Sequence, residues 1–172
     1  MLILSEPSEQ YKQSFLVGLL EFQAEGRMLE YNFQRVSSDF RHFLQQFQGR
    51  RDPRLFSPQR VQATDFWLID DEEYIGTVSI RPELNETLLR IGGHIGYKVR
   101  PSRRLQGYGT QLLRLGLEKA REMGLRRVLI TCDETNVASR KVIEANGGQF
   151  ENALVPTGST VPRRRYWIEL AS

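Results

Sequence analysis

Apolar positions recur along this chain with two different periods. Tyr11, Phe15, Leu19 and Phe22 follow one another at three- and four-residue steps, and Phe40, Phe43, Leu44 and Phe47 repeat the pattern. That spacing puts each set on one face of an α-helix. Ser5 or Ser8 is expected to cap the first helix, with Pro7 near its first turn, and Gly26 to end it. Ser37 or Ser38 is expected to cap the second, and Gly49 to stop it. LILS near the N-terminus reads as a short strand. Residues 50–60, with two prolines and four arginines, read as a loop.

Beyond residue 60 the pattern becomes that of strands. DFWLID at 65–70 and YIGTVSI at 74–80 form an antiparallel hairpin across an acidic turn. RIGGHIGYKV at 90–99 reads as a strand unusually rich in glycine, which permits a bulge and close approach of another chain. A helix is expected over 109–123, with Leu112, Leu113, Gly116, Leu117, Ala120 and Met123 inward and Gly124 as its stop. RRVLITC at 126–132 is a compact strand, 138–148 a short helix, and QFENALV and RYWIEL two closing strands. Two helices before the hairpin and two alternating with later strands give an α+β fold with a mixed sheet.

Composition narrows the class. A chain of 172 residues, with 40% hydrophobic and 10% aromatic residues, suits one domain over 1–172 with a real core. No apolar run approaches the roughly 20 residues of a membrane span, and no basic region precedes the short apolar start, so no membrane partner and a cytoplasmic location are expected. Cys132 is the single cysteine, which excludes an intramolecular disulfide and fits a reducing compartment. Two histidines, His42 and His94, argue against a zinc site, and no metal is expected. The net charge is +3, carried mostly by arginine. The tracts at 49–54 and 162–167 belong to no longer basic stripe, so they read as solvated loops and turns and nucleic acid is not an expected partner.

The most informative stretch is RRLQGYGT at 103–110, where two arginines and two glycines open a helix. A helix N-terminus presents unpaired N–H groups and a partial positive charge, which an anion can satisfy. Gly107 and Gly109 would give access to the backbone, and Arg103 and Arg104 would give charge. No lysine follows Gly109, which rules out a P-loop, and Leu112 stands where a dinucleotide fingerprint needs its third glycine. Another phosphate-bearing ligand is implied.

The run from His94 to Phe150 resembles the core of the GNAT superfamily of N-acetyltransferases. Arg104-Leu105-Gln106-Gly107-Tyr108-Gly109 fits that family's (Arg/Gln)-x-x-Gly-x-(Gly/Ala) loop, and Val99 ends the preceding strand. Asn136 and Ser139 fit its Asn-x-x-(Ala/Ser) element. The hairpin, IRPELNE, GGHIGY and RRYWIEL also resemble a bacterial subgroup of predicted acetyltransferases. The resemblance implies a central sheet of about six to seven strands with about four helices, and a pair of strands, Ile95 to Val99 and 127–132, that splay to hold acetyl-CoA. Tyr97, Val99, Arg104 to Thr110, Asn136 and Ser139 would bind the cofactor.

It implies transfer of an acyl group, usually acetyl, from CoA to an amine, small-molecule or peptide, and it allows a homodimer. The alternative is a module that binds acetyl-CoA without turnover. A backbone N–H near Ile95 to Tyr97 would receive the thioester oxygen. Gly93 stands where the family often has a glutamate base. His94 beside it has a suitable pKa, or else packs in the sheet. Ile143 stands where the family often has a tyrosine acid, leaving Cys132, Tyr97, Tyr108 and Tyr166 as replacements. Cys132 could alternatively be acylated, or serve only as a packing residue. Arg81, Asn85 and Glu134 are candidates to line the acceptor pocket, with solvated-turn or loop-stabilising roles as the alternatives for Glu134 and Asn85.

Overall fold

The computed structural model describes residues 1–55 and 59–171. After β1 (Leu2–Ser5), Ser8 accepts a hydrogen bond from Gln10 N–H and caps a 3-10 turn that leads into α1 (Lys12–Ala24). The predicted second helix is two: α2 (Phe33–Ser38), capped by Asn32, and α3 (Phe40–Gly49), capped by Asp39 rather than by a serine. Asp39 accepts from His42 N–H at 3.1 Å, while Ser37 and Ser38 lie in the last turn of α2. The expected loop over 50–60 holds a 3-10 turn at Pro53–Leu55; its residues 56–58 lie outside those described.

The hairpin is β2 (Thr64–Asp70) and β3 (Glu73–Ile80), with Asp71 and Glu72 both at positive φ in its turn. The glycine-rich segment is only half a strand. Leu88–Gly92 forms a π-helical turn, and β4 (Ile95–Val99) starts after Gly93 and His94. The β3–β4 register runs without a shift from Ile80↔Ile95 to Gly76↔Val99, so the expected bulge is absent there. Next come α4 (Tyr108–Glu122), β5 (Arg127–Asp133), α5 (Val137–Ala145), β6 (Gln149–Leu154) and β7 (Arg163–Glu169).

The strands form two sheets, β1-β2-β3-β4 and β5-β7-β6, each antiparallel, where a mixed sheet was expected. The ladder breaks because β4 and β5 diverge. On one face of the first sheet, Phe15 of α1 stacks on Trp67 of β2 with centroids 4.5 Å apart, and Phe40, Phe43 and Phe47 close round them. Such pairs add about 0.5–1.5 kcal/mol each beyond area burial. On the other face Leu68, Val78, Ile80 and Ile95 meet Leu112, Leu113 and Ala120 of α4 and run on into Val128, Ile130 and Ile143. This second core spans both sheets and holds the divergent strands at a fixed separation.

Candidate active site

The V between β4 and β5 is pinned at its base by a few backbone groups and one imidazole. Gly93 has φ +77, and a Cβ there would stand 2.5 Å from the Leu129 carbonyl oxygen, so only glycine fits this approach. His94 N–H donates to Leu129 C=O at 2.8 Å, and Leu129 N–H donates back to His94 Nδ1 at 2.8 Å. The imidazole thus takes the place of a backbone acceptor where the ladder ends. Burial, with Arg127 and Arg81 nearby, holds its pKa below the usual histidine value, so the ring is neutral with its proton on Nε2. The lone pair that a base would use is already engaged.

Above that junction β4 has a free edge. Arg81 N–H donates to His94 C=O, and Arg100 N–H to Ile75 C=O. By strand alternation Gly96 and Lys98 therefore turn their backbone groups toward β3, while Ile95, Tyr97 and Val99 turn theirs into the V.

The mouth of the V is the N-terminus of α4. Gly107 precedes it at φ +84, with nothing near where its Cβ would be, so its role is conformational. Gly109 serves packing instead: a Cβ would lie 3.2 Å from Val142 of α5. No side chain caps α4, which leaves its first N–H groups open to a ligand. Leu105 beside them is 97% exposed at φ 58. Thr110 C=O accepts from Asn146, Gln106 Nε2 donates to Ser102 C=O, and Tyr108 O–H donates to Asp70. Arg103 and Arg104, expected to give charge here, are both held by carboxylates. Arg104 forks onto Glu25 at 2.6 and 2.8 Å and reaches Val99 C=O, and Arg103 grips Glu73. Both guanidinium groups are thus paired, whereas the first N–H groups of α4 have no side-chain cap.

Inside the V, Tyr97 from β4 and Ser139 from α5 share a hydrogen bond of 2.6 Å between their hydroxyls. Burial pushes the Tyr97 phenol up to about 12, so it stays protonated. Asn136 accepts from Ser139 N–H and caps α5, which leaves its amide donor free. Cys132 faces Ser139, and burial pushes its thiol up, which suppresses the thiolate an acyl carrier needs. Ile143 is fully buried in the core. Tyr166, also fully buried, donates to Glu144 and accepts from Arg164.

A cavity of about 1050 Å³ opens between the end of α3, the stretch Gln59 to Val61 and the segment that runs from Arg81 to Leu88. Arg81 and Asn85 both line it, with Tyr31 and Arg50. Asn85 accepts from Leu88 N–H and donates to Gln59 C=O, holding the wall's shape. Glu134 is elsewhere, past the end of β5 and 3.5 Å from Arg164. Sequence reasoning missed Arg50, Asp65, Ser79 and Lys98. The available signal was Asp65, a carboxylate within an apolar strand, which is 1% exposed and bound by Arg50 and Ser79. Among the described residues no group of three or more His, Cys, Asp or Glu could hold a metal, and no helix is long and apolar enough to cross a membrane.

A family model for the acetyltransferase (GNAT) domain matches residues 10–149. No curated protein sequence matches the chain. Among solved structures, Mycobacterium smegmatis RimJ in complex with a CoA disulfide is 18% identical, with a TM-score of 0.72 over 98% of this chain and 81% of its own. The Salmonella typhimurium acetyl transferase that modifies the N-terminal serine of a 50S ribosomal subunit protein is 19% identical, with a TM-score of 0.66 over 99% and 95%. The microcin C7 self-immunity acetyltransferase MccE, in complex with acetyl-CoA and AMP, is 15% identical, with a TM-score of 0.67 over 98% and 92%.

Proposed function

The chain belongs to the GNAT acetyltransferase family, and on that premise we propose that acetyl-CoA lies in the V between β4 and β5 and gives its acetyl group directly to a primary amine, of a small molecule or a peptide, entering across Gly96. The observation that carries this reading is the conjunction of two open donor sets: the uncapped start of α4 and the free edge of β4. The N–H groups of Tyr108, Gly109 and Thr110 receive the pyrophosphate, and Gly107 sets their direction. The pantetheine amides pair with the outward backbone of Tyr97 and Val99. The Ile95 or Tyr97 N–H receives the thioester oxygen as negative charge develops, a donor worth about 3 kcal/mol of barrier.

In the transfer the amine nitrogen bonds to the thioester carbon and the carbon–sulfur bond breaks. Nitrogen loses one proton and sulfur gains one. The Tyr97–Ser139 hydroxyl pair lies inside the V, and on this reading its protonated phenol gives the sulfur its proton, a role the family often assigns to a tyrosine where this chain has Ile143. Cys132 stays a neutral thiol and takes no covalent part. Calorimetry with acetyl-CoA and thiol release with an amine panel test the reading. Binding with turnover is expected, and an absence of heat across several temperatures would overturn it.

A further inference from the structure

The chain pairs most of its buried and half-buried arginines. Arg100, Arg103, Arg163, Arg164 and Arg165 each lie within 4.0 Å of a carboxylate. Two cations at the acceptor face do not. Arg81 donates one bond to Gly93 C=O, and its other terminal nitrogen lies 3.8 Å from where a Cβ on Gly96 would stand. Lys98, two residues along β4 on the same face, rests over the Phe22 ring. Neither has a carboxylate within salt-bridge distance among the described residues. The one buried acid there, Asp65, is committed to Arg50 and the Ser79 hydroxyl. Glu30 and Glu86 are exposed and line the cavity with Arg60, and Glu30 acts on Lys98 only from beyond ion-pair distance. Burial works against the charge of both Arg81 and Lys98.

Two half-buried cations without partners are costly unless an anion arrives to join them. The Arg81 guanidinium reaches over Gly96, and Lys98 follows Gly96 by two residues on the same face of β4, so the two flank the Gly96 surface, across which the amine reaches the thioester. We propose that the acceptor is a small amine that also carries an oxyanion, carboxylate or phosphate, which Arg81 and Lys98 bind while the amine faces the V. This rests on the reading of the V as the acetyl-CoA site. The same cations disfavour a protonated amine beside them. They thereby supply the neutral nucleophile in a site where Gly93 replaces the family's usual carboxylate base.

Matched acceptors test it: γ-aminobutyrate against n-butylamine, and O-phosphoethanolamine against ethanolamine, each with acetyl-CoA. The anionic member of at least one pair is expected to show about tenfold or greater kcat/KM, as a charged hydrogen bond provides, mostly through KM. The pair that responds identifies the oxyanion. Lys98→Met should shrink that gap while leaving the Kd for CoA within about twofold, and Arg81→Gln should shrink it as well. Independently of turnover, inorganic phosphate at constant ionic strength should raise the melting temperature of the CoA-saturated protein, and less so for Lys98→Met. CoA fills the α4 terminus in that measurement, so the shift reports the acceptor face. Equal rates within both pairs, a gap that survives both substitutions, or no phosphate effect on the CoA complex would overturn the proposal alone. Failure of CoA itself to bind would overturn the preceding reading with it.

Discussion

His94 shows how one side chain can stand in for backbone. From sequence it was a base or a packing residue; in the fold its Nδ1 satisfies a main-chain N–H where the β4–β5 ladder ends. His94→Ala strips that acceptor and leaves Leu129 N–H unpaired, which should cost about 1–3 kcal/mol and raise KM for acetyl-CoA as the V loosens. His94→Gln carries a carbonyl that can accept the same bond, and should restore most of both. A catalytic base would give the opposite pattern: Gln as inactive as Ala, and loss of an ionisation from the pH profile of kcat. The ring's lowered pKa adds a sign of its own. The unfolded chain binds a proton on His94 more readily than the folded one, so this contribution to stability is present above about pH 6.5 and is lost as pH falls below it. The same residue-scale logic applies to Arg103 and Arg104, which the fold pairs with acids. Sequence showed charge at a helix start, but not that Glu73 and Glu25 would fold beside it.

Elements were legible where local chemistry alone decides them. The aromatic series of α1 and α3, the acidic hairpin turn and the glycine before α4 follow from period and φ, and all appear as expected. The π-helical turn at Leu88–Gly92 was not legible, because its purpose is tertiary: it delivers Gly93 to the Leu129 carbonyl. The segment between β4 and α4 is likewise held from a distance. Glu21 of α1 accepts from the Arg100 guanidinium, from Ser102 N–H and from Ser102 O–H. Arg100 is 4% exposed and also bonds Glu73 and Tyr74 C=O. The Arg100 bonds first, then those from Ser102, pull the Glu21 carboxyl from 4.5 down to about 2. A folded pKa below the unfolded one stabilises the protein above pH 4.5 and is lost as pH falls toward 2. Glu21→Gln should therefore cost about 3 kcal/mol in urea unfolding at pH 7, and the gap to wild type should close near pH 2. A gap that persists there would mean packing, not charge, holds this corner. Because the corner aims the glycine loop, the variant should also weaken acetyl-CoA binding at neutral pH.

At the scale of the whole molecule, two antiparallel sheets meet at one narrow junction and otherwise share only a core and two helices. The ligand proposed here is the missing connection. It would take the outward backbone groups of β4 and the first N–H groups of α4, joining what the ladder leaves apart. Binding only to the folded chain adds stability by mass action: about 2.7 kcal/mol at a hundredfold excess over Kd, or roughly 5–10 °C in melting temperature for a chain of this size. The gain alone does not locate the ligand, but amide exchange does. Gly96 and Lys98 give their N–H groups to β3 whether or not CoA is present, so their protection should rise only with global stability. The Ile95 and Tyr97 amides face the open V, and so do those of Tyr108 and Gly109 at the helix start. These four should exchange fast in the free protein and slow disproportionately when acetyl-CoA is added. Uniform slowing along β4 would mean that the ligand stabilises the fold from some other surface, and that the free edge is not where its amides pair.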